Sequence, residues 1–308
     1  MVNAWPRQLI AHSQKLAGKL PGEVIEGFIR QHRLPAVFHR VVRDHYLPLA
    51  LWLRERHRPG KTLIVGISGG QGTGKSTLTD FLQIVLTELG NHCCTLSLDD
   101  LYLTRAERQQ LARGIHPLLL TRGVPGTHDV QLGIDTLNAL CRAGAQSVIP
   151  LPRFDKSLDE RVPRAAWPQH TGPVDIVLLE GWCLGAKPSL NPVFPLNALE
   201  QSEDASGTWR HFINRQLAGP YRDLFALPEV IVMLKAPSME SILEWRKLQE
   251  QKLREQTGGK GLQDRELLRF VQHYERITRN LIAEMPEWAD CVFLLGEDHR
   301  IEAVRLRH

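Results

Sequence analysis

Eight consecutive residues, Gly69-Gly70-Gln71-Gly72-Thr73-Gly74-Lys75-Ser76, match the spacing G-x-x-x-x-G-K-[ST] and constrain this chain more than any other feature. The apolar run Leu63-Ile64-Val65-Gly66-Ile67 precedes them. Leu78, Phe81, Leu82, Val85, Leu86 and Leu89 follow on a single helical face, and Gly90 is placed as that helix's C-terminal cap. Strand, glycine loop and helix form the context in which such a loop binds phosphate. Glycines let successive N–H groups converge on phosphate oxygens, and the positive end of the helix dipole lies behind them. Lys75 is expected to reach the β/γ oxygens of a nucleotide and the Ser76 hydroxyl to ligate Mg²⁺. Gly69, Gly70, Gln71, Gly72, Thr73, Gly74, Lys75, Ser76 and Thr77 are the candidate nucleotide-binding residues.

Bulk properties remove several function classes. No apolar run approaches the roughly 20 residues needed to span a bilayer, and the start lacks the charged-then-apolar pattern of a signal peptide, so a cytoplasmic protein without a membrane partner is expected. The five cysteines have no C-x-x-C spacing and are expected to be buried free thiols. The net charge of +4 is spread among acids, as in Glu244-Trp245-Arg246-Lys247-Leu248-Gln249-Glu250, which suits a solvated helix face better than a nucleic-acid surface. No nucleic-acid partner is therefore expected. The pattern leaves monomer and homodimer both open.

Short β-branched apolar runs at 63–68, 93–98, 174–179, 230–235 and 291–295, separated by helical segments, predict an α/β fold around a parallel sheet. Residues 1–60 read as a helical extension packed on the core, closed by Pro59-Gly60, and residues 61–308 as the main domain. The long interval 100–173 is expected to contact substrate, and 186–208 to be a surface loop. Residues 239–283 read as two helices joined by a hinge at Thr257-Gly258-Gly259-Lys260-Gly261.

In open parallel sheets ligands bind outside the carboxyl ends of the strands, so polar residues ending the apolar runs are the ones that matter. The second run ends in Leu98-Asp99-Asp100-Leu101-Tyr102. Phosphoryl transfer to an alcohol needs a carboxylate that takes the hydroxyl proton, and Asp99 is the candidate base. Asp100 is expected to bind substrate or to cap the next helix, and Tyr102 to donate to substrate or to pack. The third run delivers Glu180 before Gly181, a Walker B arrangement suited to holding Mg²⁺ directly or through water. Tyr274 falls on the buried stripe of its helix, while Trp167, Trp182 and Trp245 read as packing residues.

Five blocks then converge on one family: Asp99-Asp100-x-Tyr102-Leu103-Thr104, Arg122-Gly123-x-x-Gly126-Thr127-His128-Asp129, Leu151-Pro152-Arg153-Phe154-Asp155-Lys156-Ser157, Leu179-Glu180-Gly181-Trp182-x-Leu184-Gly185 and Glu244-Trp245-Arg246. From about residue 45 to 295 the chain resembles the D-glycerate 3-kinases of plants and fungi and their bacterial relatives, a group similar to phosphoribulokinase, uridine kinase and pantothenate kinase. The resemblance implies a P-loop NTPase fold, three layers α/β/α, with a five-stranded parallel sheet in the order 2-3-1-4-5 and a helical lid at about 239–265. It implies ATP and Mg²⁺ as cofactors, D-glycerate as acceptor and 3-phosphoglycerate as product. Asp99 stands where the wider superfamily has its catalytic aspartate, Glu180 at its Walker B acid, and Arg246 resembles a lid arginine. The lid departs from the plant pattern, so Arg246, Lys247, Lys252 and Arg254 all remain candidates for reaching the transferring phosphoryl. Glycerate's carboxylate and hydroxyls call for a cation fork and hydrogen-bond partners, types that Arg122, His128, Asp129, Arg153 and Lys156 supply. Pantothenate, a nucleoside or another sugar acid is the alternative acceptor. An ATP-binding switch without metabolite kinase activity is the alternative class, although no N-K-x-D guanine motif occurs in the chain.

Overall fold

The computed structural model describes residues 5–18, 20, 22–189, 192–257 and 263–307. Helices α1 (Arg7–Ala17), α2 (Gly22–Gln31), α3 (Phe38–Val41) and α4 (Leu47–Arg56) lead into strand β1 (Leu63–Gly69) and helix α5 (Lys75–Glu88). Then come β2 (Cys93–Ser97), α6 (Arg105–Gly114) and α7 (Val130–Cys141). Two small hairpins follow, β3 (Val148–Pro150) pairing with β6 (Gln169–Thr171), and β4 (Phe154–Asp155) with β5 (Glu160–Arg161). The chain continues through β7 (Ile176–Gly181), α8 (Ala198–Glu203), α9 (Thr208–Ala218), α10 (Pro220–Phe225) and β8 (Val230–Lys235). It closes with α11 (Met239–Thr257), α12 (Asp264–Glu284), β9 (Cys291–Leu295) and β10 (Ile301–Leu306).

The main sheet runs β2-β7-β1-β8-β9-β10, with β1 in the middle. Its first five strands are parallel and carry the five apolar runs. The sixth, β10, pairs antiparallel with β9, so the sheet is mixed and six-stranded rather than purely parallel and five-stranded. Periodicity missed β10 because an edge strand needs only one covered face. Glu302 and Arg305 point outward along it, and such charges keep an edge from pairing further.

Alternation along the central strands builds two cores. Val65 and Ile67 of β1, Ile176 and Leu178 of β7 and Val232 of β8 face one layer, which holds α5 and side chains from α1, α2 and α4. Phe28 and Tyr46 meet Phe81 of α5 at 5.1 and 5.4 Å between ring centroids, so the N-terminal helices share that core. Val177, Leu179, Ile231 and Met233 face the opposite layer, which holds α7, α9 and α10. Both faces of the sheet are covered, which is why its strands read as continuous apolar runs.

Two expectations need correcting. Within 186–208 lies α8, whose start is fixed by the Asn197 side chain accepting from the Glu200 N–H at 3.0 Å, so this stretch is not wholly loop. Cys141 is exposed at the end of α7, unlike the buried Cys94, Cys183 and Cys291. The expected hinge from Gly258 onward falls outside the described residues. Among the described residues, no helix is long and apolar enough to cross a membrane.

Candidate active site

At the carboxyl ends of β1, β2 and β7 the structure opens a cleft of about 600 Å³, lined by Gln71, Lys75, Ser76, Asp99, Tyr102, Lys156, Glu180 and Arg246 among others. The loop after β1 forms one wall. Gly74, the N-cap of α5, has φ 90°, a left-handed conformation in which an L side chain is strained. A Cβ on Gly70 would lie 2.5 Å from Cδ1 of Ile242, so the loop packs directly against the root of α11. The half-buried Lys75 ammonium donates to the Gly70 carbonyl at 3.0 Å. Burial pushes its pKa down, while the charges of Glu180 and Asp99 pull it back up. Both carboxylates thus act electrostatically on the loop lysine.

Parallel registry fixes those carboxylates. Glu180 lies beside Ile67 of β1 and Ser97 of β2, and the Ser97 hydroxyl donates to it at 2.5 Å. Ser97 also accepts from the Asp99 N–H at 3.2 Å, which begins the tight turn that carries Asp99. One Asp99 oxygen accepts from the Tyr102 hydroxyl at 2.6 Å and the other from the Lys156 ammonium at 2.6 Å. Burial acts to raise the Asp99 pKa, but the Lys156 charge and these two hydrogen bonds outweigh it, so the carboxyl sits below its ordinary value. Tyr102 is held protonated by burial and by the neighbouring Asp99 charge.

Arg122 also lines the cleft, ion-paired to Asp159. Asp159 simultaneously pairs with the buried Arg108 at 2.9 Å. Tyr274 of α12 donates to the Arg122 carbonyl at 2.9 Å and the Trp182 indole to the Gly123 carbonyl at 3.0 Å, which pins the turn that presents Arg122.

Four predicted substrate residues do not reach the cleft wall. Asp100 is buried, accepting from the Phe154 N–H at 3.1 Å and from Arg153 at 2.7 Å, so this pair clamps β4 under the Asp99 turn. Asp129 caps α7 by accepting from the Leu132 N–H and binds Arg161 at 3.1 Å. His128 is buried behind Tyr102, ring centroids 4.7 Å apart, with Nδ1 2.6 Å from the Tyr221 hydroxyl. Burial pushes its pKa to about 4, so at neutral pH it offers no positive charge. Of the lid candidates, Arg246 lines the cleft and is braced by Glu250 at 2.6 Å and Gln249 at 2.8 Å. Lys247 turns to Glu244 at 2.6 Å, and the Lys252 side chain lies outside the described residues. Arg254 is not part of the cleft lining.

Other cleft residues escaped sequence reasoning as site residues, including Arg105, Arg108, Asp159, Trp182 and Phe270. Arg105 and Arg108 stand three apart on α6, the spacing of one helical face, and that signal was readable. Asp159 carried none; it sits in a hairpin with φ 54°.

The donor set fits Mg²⁺. Among the described residues no group of three or more His, Cys, Asp or Glu converges on a metal position, while Ser76 and Glu180 share the cleft. One or two protein oxygens, completed by phosphate and water, are what Mg²⁺ usually takes.

No family model matches the chain. It is 34% identical over 259 residues to an uncharacterized kinase of Schizosaccharomyces pombe, covering 80% of this chain and 86% of that one. It is 30% identical over 268 residues to the chloroplastic D-glycerate 3-kinase of Arabidopsis thaliana, covering 80% of this chain but 56% of that longer protein. The solved D-glycerate 3-kinase from Cryptococcus neoformans superposes with a TM-score of 0.68 at 25% identity, over 87% of this chain and 99% of that one.

Proposed function

Since this chain belongs to the P-loop kinase family that includes D-glycerate 3-kinase, we propose that it transfers the γ-phosphoryl of Mg-ATP to a hydroxyl of D-glycerate, giving 3-phosphoglycerate. One observation carries the reading: Asp99 and the phosphate-loop Lys75 line the same cleft, close enough that the carboxylate's charge acts on the ammonium.

In this reading the N–H groups of residues 69–77 and the Lys75 ammonium bind the nucleotide's phosphates. Lys75 exchanges its bond to the Gly70 carbonyl for phosphate oxygens. Ser76 and Glu180 hold Mg²⁺, which when bound neutralises phosphate charge. Ser97 keeps Glu180 oriented. Asp99 orients the acceptor hydroxyl and takes its proton, with Tyr102 fixing the carboxylate's rotation. Arg246, on the cleft side of α11, faces the developing charge.

Charge supports an anionic acceptor. Among the described residues, six basic side chains line the cleft, Lys75, Arg105, Arg108, Arg122, Lys156 and Arg246, against three acids, Asp99, Asp159 and Glu180. Arg122 and Lys156 lie on the Asp99 side and serve as the carboxylate fork, whereas Asp100, His128, Asp129 and Arg153 hold that wall in place.

A panel of D-glycerate, pantothenate, uridine and other sugar acids, read by coupled ADP release, tests the proposal. D-Glycerate should turn over fastest. Faster turnover of another acceptor would reassign the substrate, and no acceptor-dependent ADP release with any of them would favour a nucleotide switch.

A further inference from the structure

Asp99 has both oxygens engaged, by the Tyr102 hydroxyl at 2.6 Å and the Lys156 ammonium at 2.6 Å. An ionised carboxylate has about four acceptor sites, so a hydroxyl can still reach it. A carboxylate ion-paired to an ammonium is nevertheless a weaker proton acceptor than the same carboxylate released, and the base gains strength when one donor leaves. The two donors differ in freedom. Tyr102 is buried, stacked on His128, and its carbonyl accepts two bonds from the Arg161 guanidinium at 3.1 and 2.9 Å. Lys156 is 59% exposed along its side chain. Its backbone stays put, because the Asp155 carboxylate accepts from the Ser157 and Leu158 N–H groups at 2.8 and 3.2 Å. The root is fixed and the head is movable.

Resting on the kinase reading above, we propose that Lys156 is a latch on Asp99 which the acceptor's own carboxylate releases, so that the enzyme selects anionic acceptors in turnover as well as in binding. A carboxylate entering beside Arg122 offers the ammonium a second anion of the kind it gives up, which makes the exchange nearly balanced. Water or a neutral alcohol offers no such partner and leaves the ion pair closed. With the latch open, the acceptor oxygen bonds to the γ-phosphorus and its proton passes to Asp99. The bond between that phosphorus and the β-bridging oxygen breaks with its electron pair on ADP. Water in the same position gives inorganic phosphate and ADP, the wasteful reaction that the closed latch suppresses. Lys156 is thus a positioning residue for the base.

The test compares wild type with Lys156→Met, Lys156→Gln and Lys156→Arg. ATP hydrolysis without acceptor is measured first, then kcat and KM with D-glycerate and with glycerol, its neutral analogue. In the Met and Gln variants, acceptor-free hydrolysis and glycerol kcat should each rise about tenfold, the factor that about 1.4 kcal/mol of latch energy corresponds to. D-Glycerate KM should rise as well, because a carboxylate ligand is lost. Lys156→Arg keeps a cation in reach and should hold hydrolysis at the wild-type level. The latch is refuted if hydrolysis and glycerol kcat stay level or fall in both neutral variants, or if the Arg variant rises with them. A wild type that phosphorylates no acid in the panel would overturn the functional reading, and the hydrolysis comparison would still decide the latch.

Discussion

In the proposed reading the two walls of the cleft hold anions by different physics. On the nucleotide side the loop between β1 and α5 offers main-chain N–H groups whose directions are set by glycine geometry, with the half-buried cation Lys75 among them. On the acceptor side the charges are side chains from separate segments, and they are already paired: Lys156 with Asp99, and Arg122 and Arg108 with Asp159. A backbone cradle recognises any polyphosphate and depends on few side chains. A wall of exchangeable ion pairs recognises one acceptor and can be re-specified by single substitutions.

That contrast gives graded expectations. Lys75→Ala removes the loop's cation and should lower kcat/KM by about 10³ with every acceptor alike. An acceptor-dependent loss would blur the two walls. Arg122→Ala should raise D-glycerate KM about 10- to 100-fold, the weight of a charged hydrogen bond, and leave ATP KM unchanged. Asp100→Asn breaks the clamp with Arg153 and should cost about 1–3 kcal/mol of stability in urea unfolding, with D-glycerate KM unaltered. A changed KM would return Asp100 to the acceptor site. The smallest effect is on pH. In the proposed mechanism Asp99 works ionised, and its pKa is depressed, with burial opposing and the Lys156 charge and hydrogen bonds prevailing. Activity should therefore hold as pH falls until it passes below the ordinary aspartate value of about 3.9. Lys156→Met removes the prevailing cation, so the acid limb of kcat/KM should move to higher pH; an unmoved limb would separate that limb from Asp99.

The walls also differed in how much of them the sequence disclosed. Gly69 through Thr77, the flanking strand and the helical face of α5 are local, so spacing alone revealed the strand, glycine loop and helix. Asp99 and Glu180 end apolar runs, and parallel registry carries such ends to one edge. On the acceptor wall only the residue types were legible. Asp100 and Arg153 satisfy each other, Asp129 caps α7, and His128 is buried neutral; these outcomes depend on which segments meet across the fold. Asp159, the anion that organises Arg122 and Arg108, left no local trace. β10 was missed for the opposite reason, since a strand covered on one face beside solvent shows no continuous apolar run.

Turnover and ATP affinity of Asp99→Asn test the central claim most directly. The substitution keeps the side chain's shape and removes the proton acceptor. With ATP and D-glycerate, kcat should fall by about 10²–10⁴ while the dissociation constant for ATP stays at the wild-type value. Wild-type turnover by this variant would contradict the assignment of Asp99 as the base facing the phosphate loop.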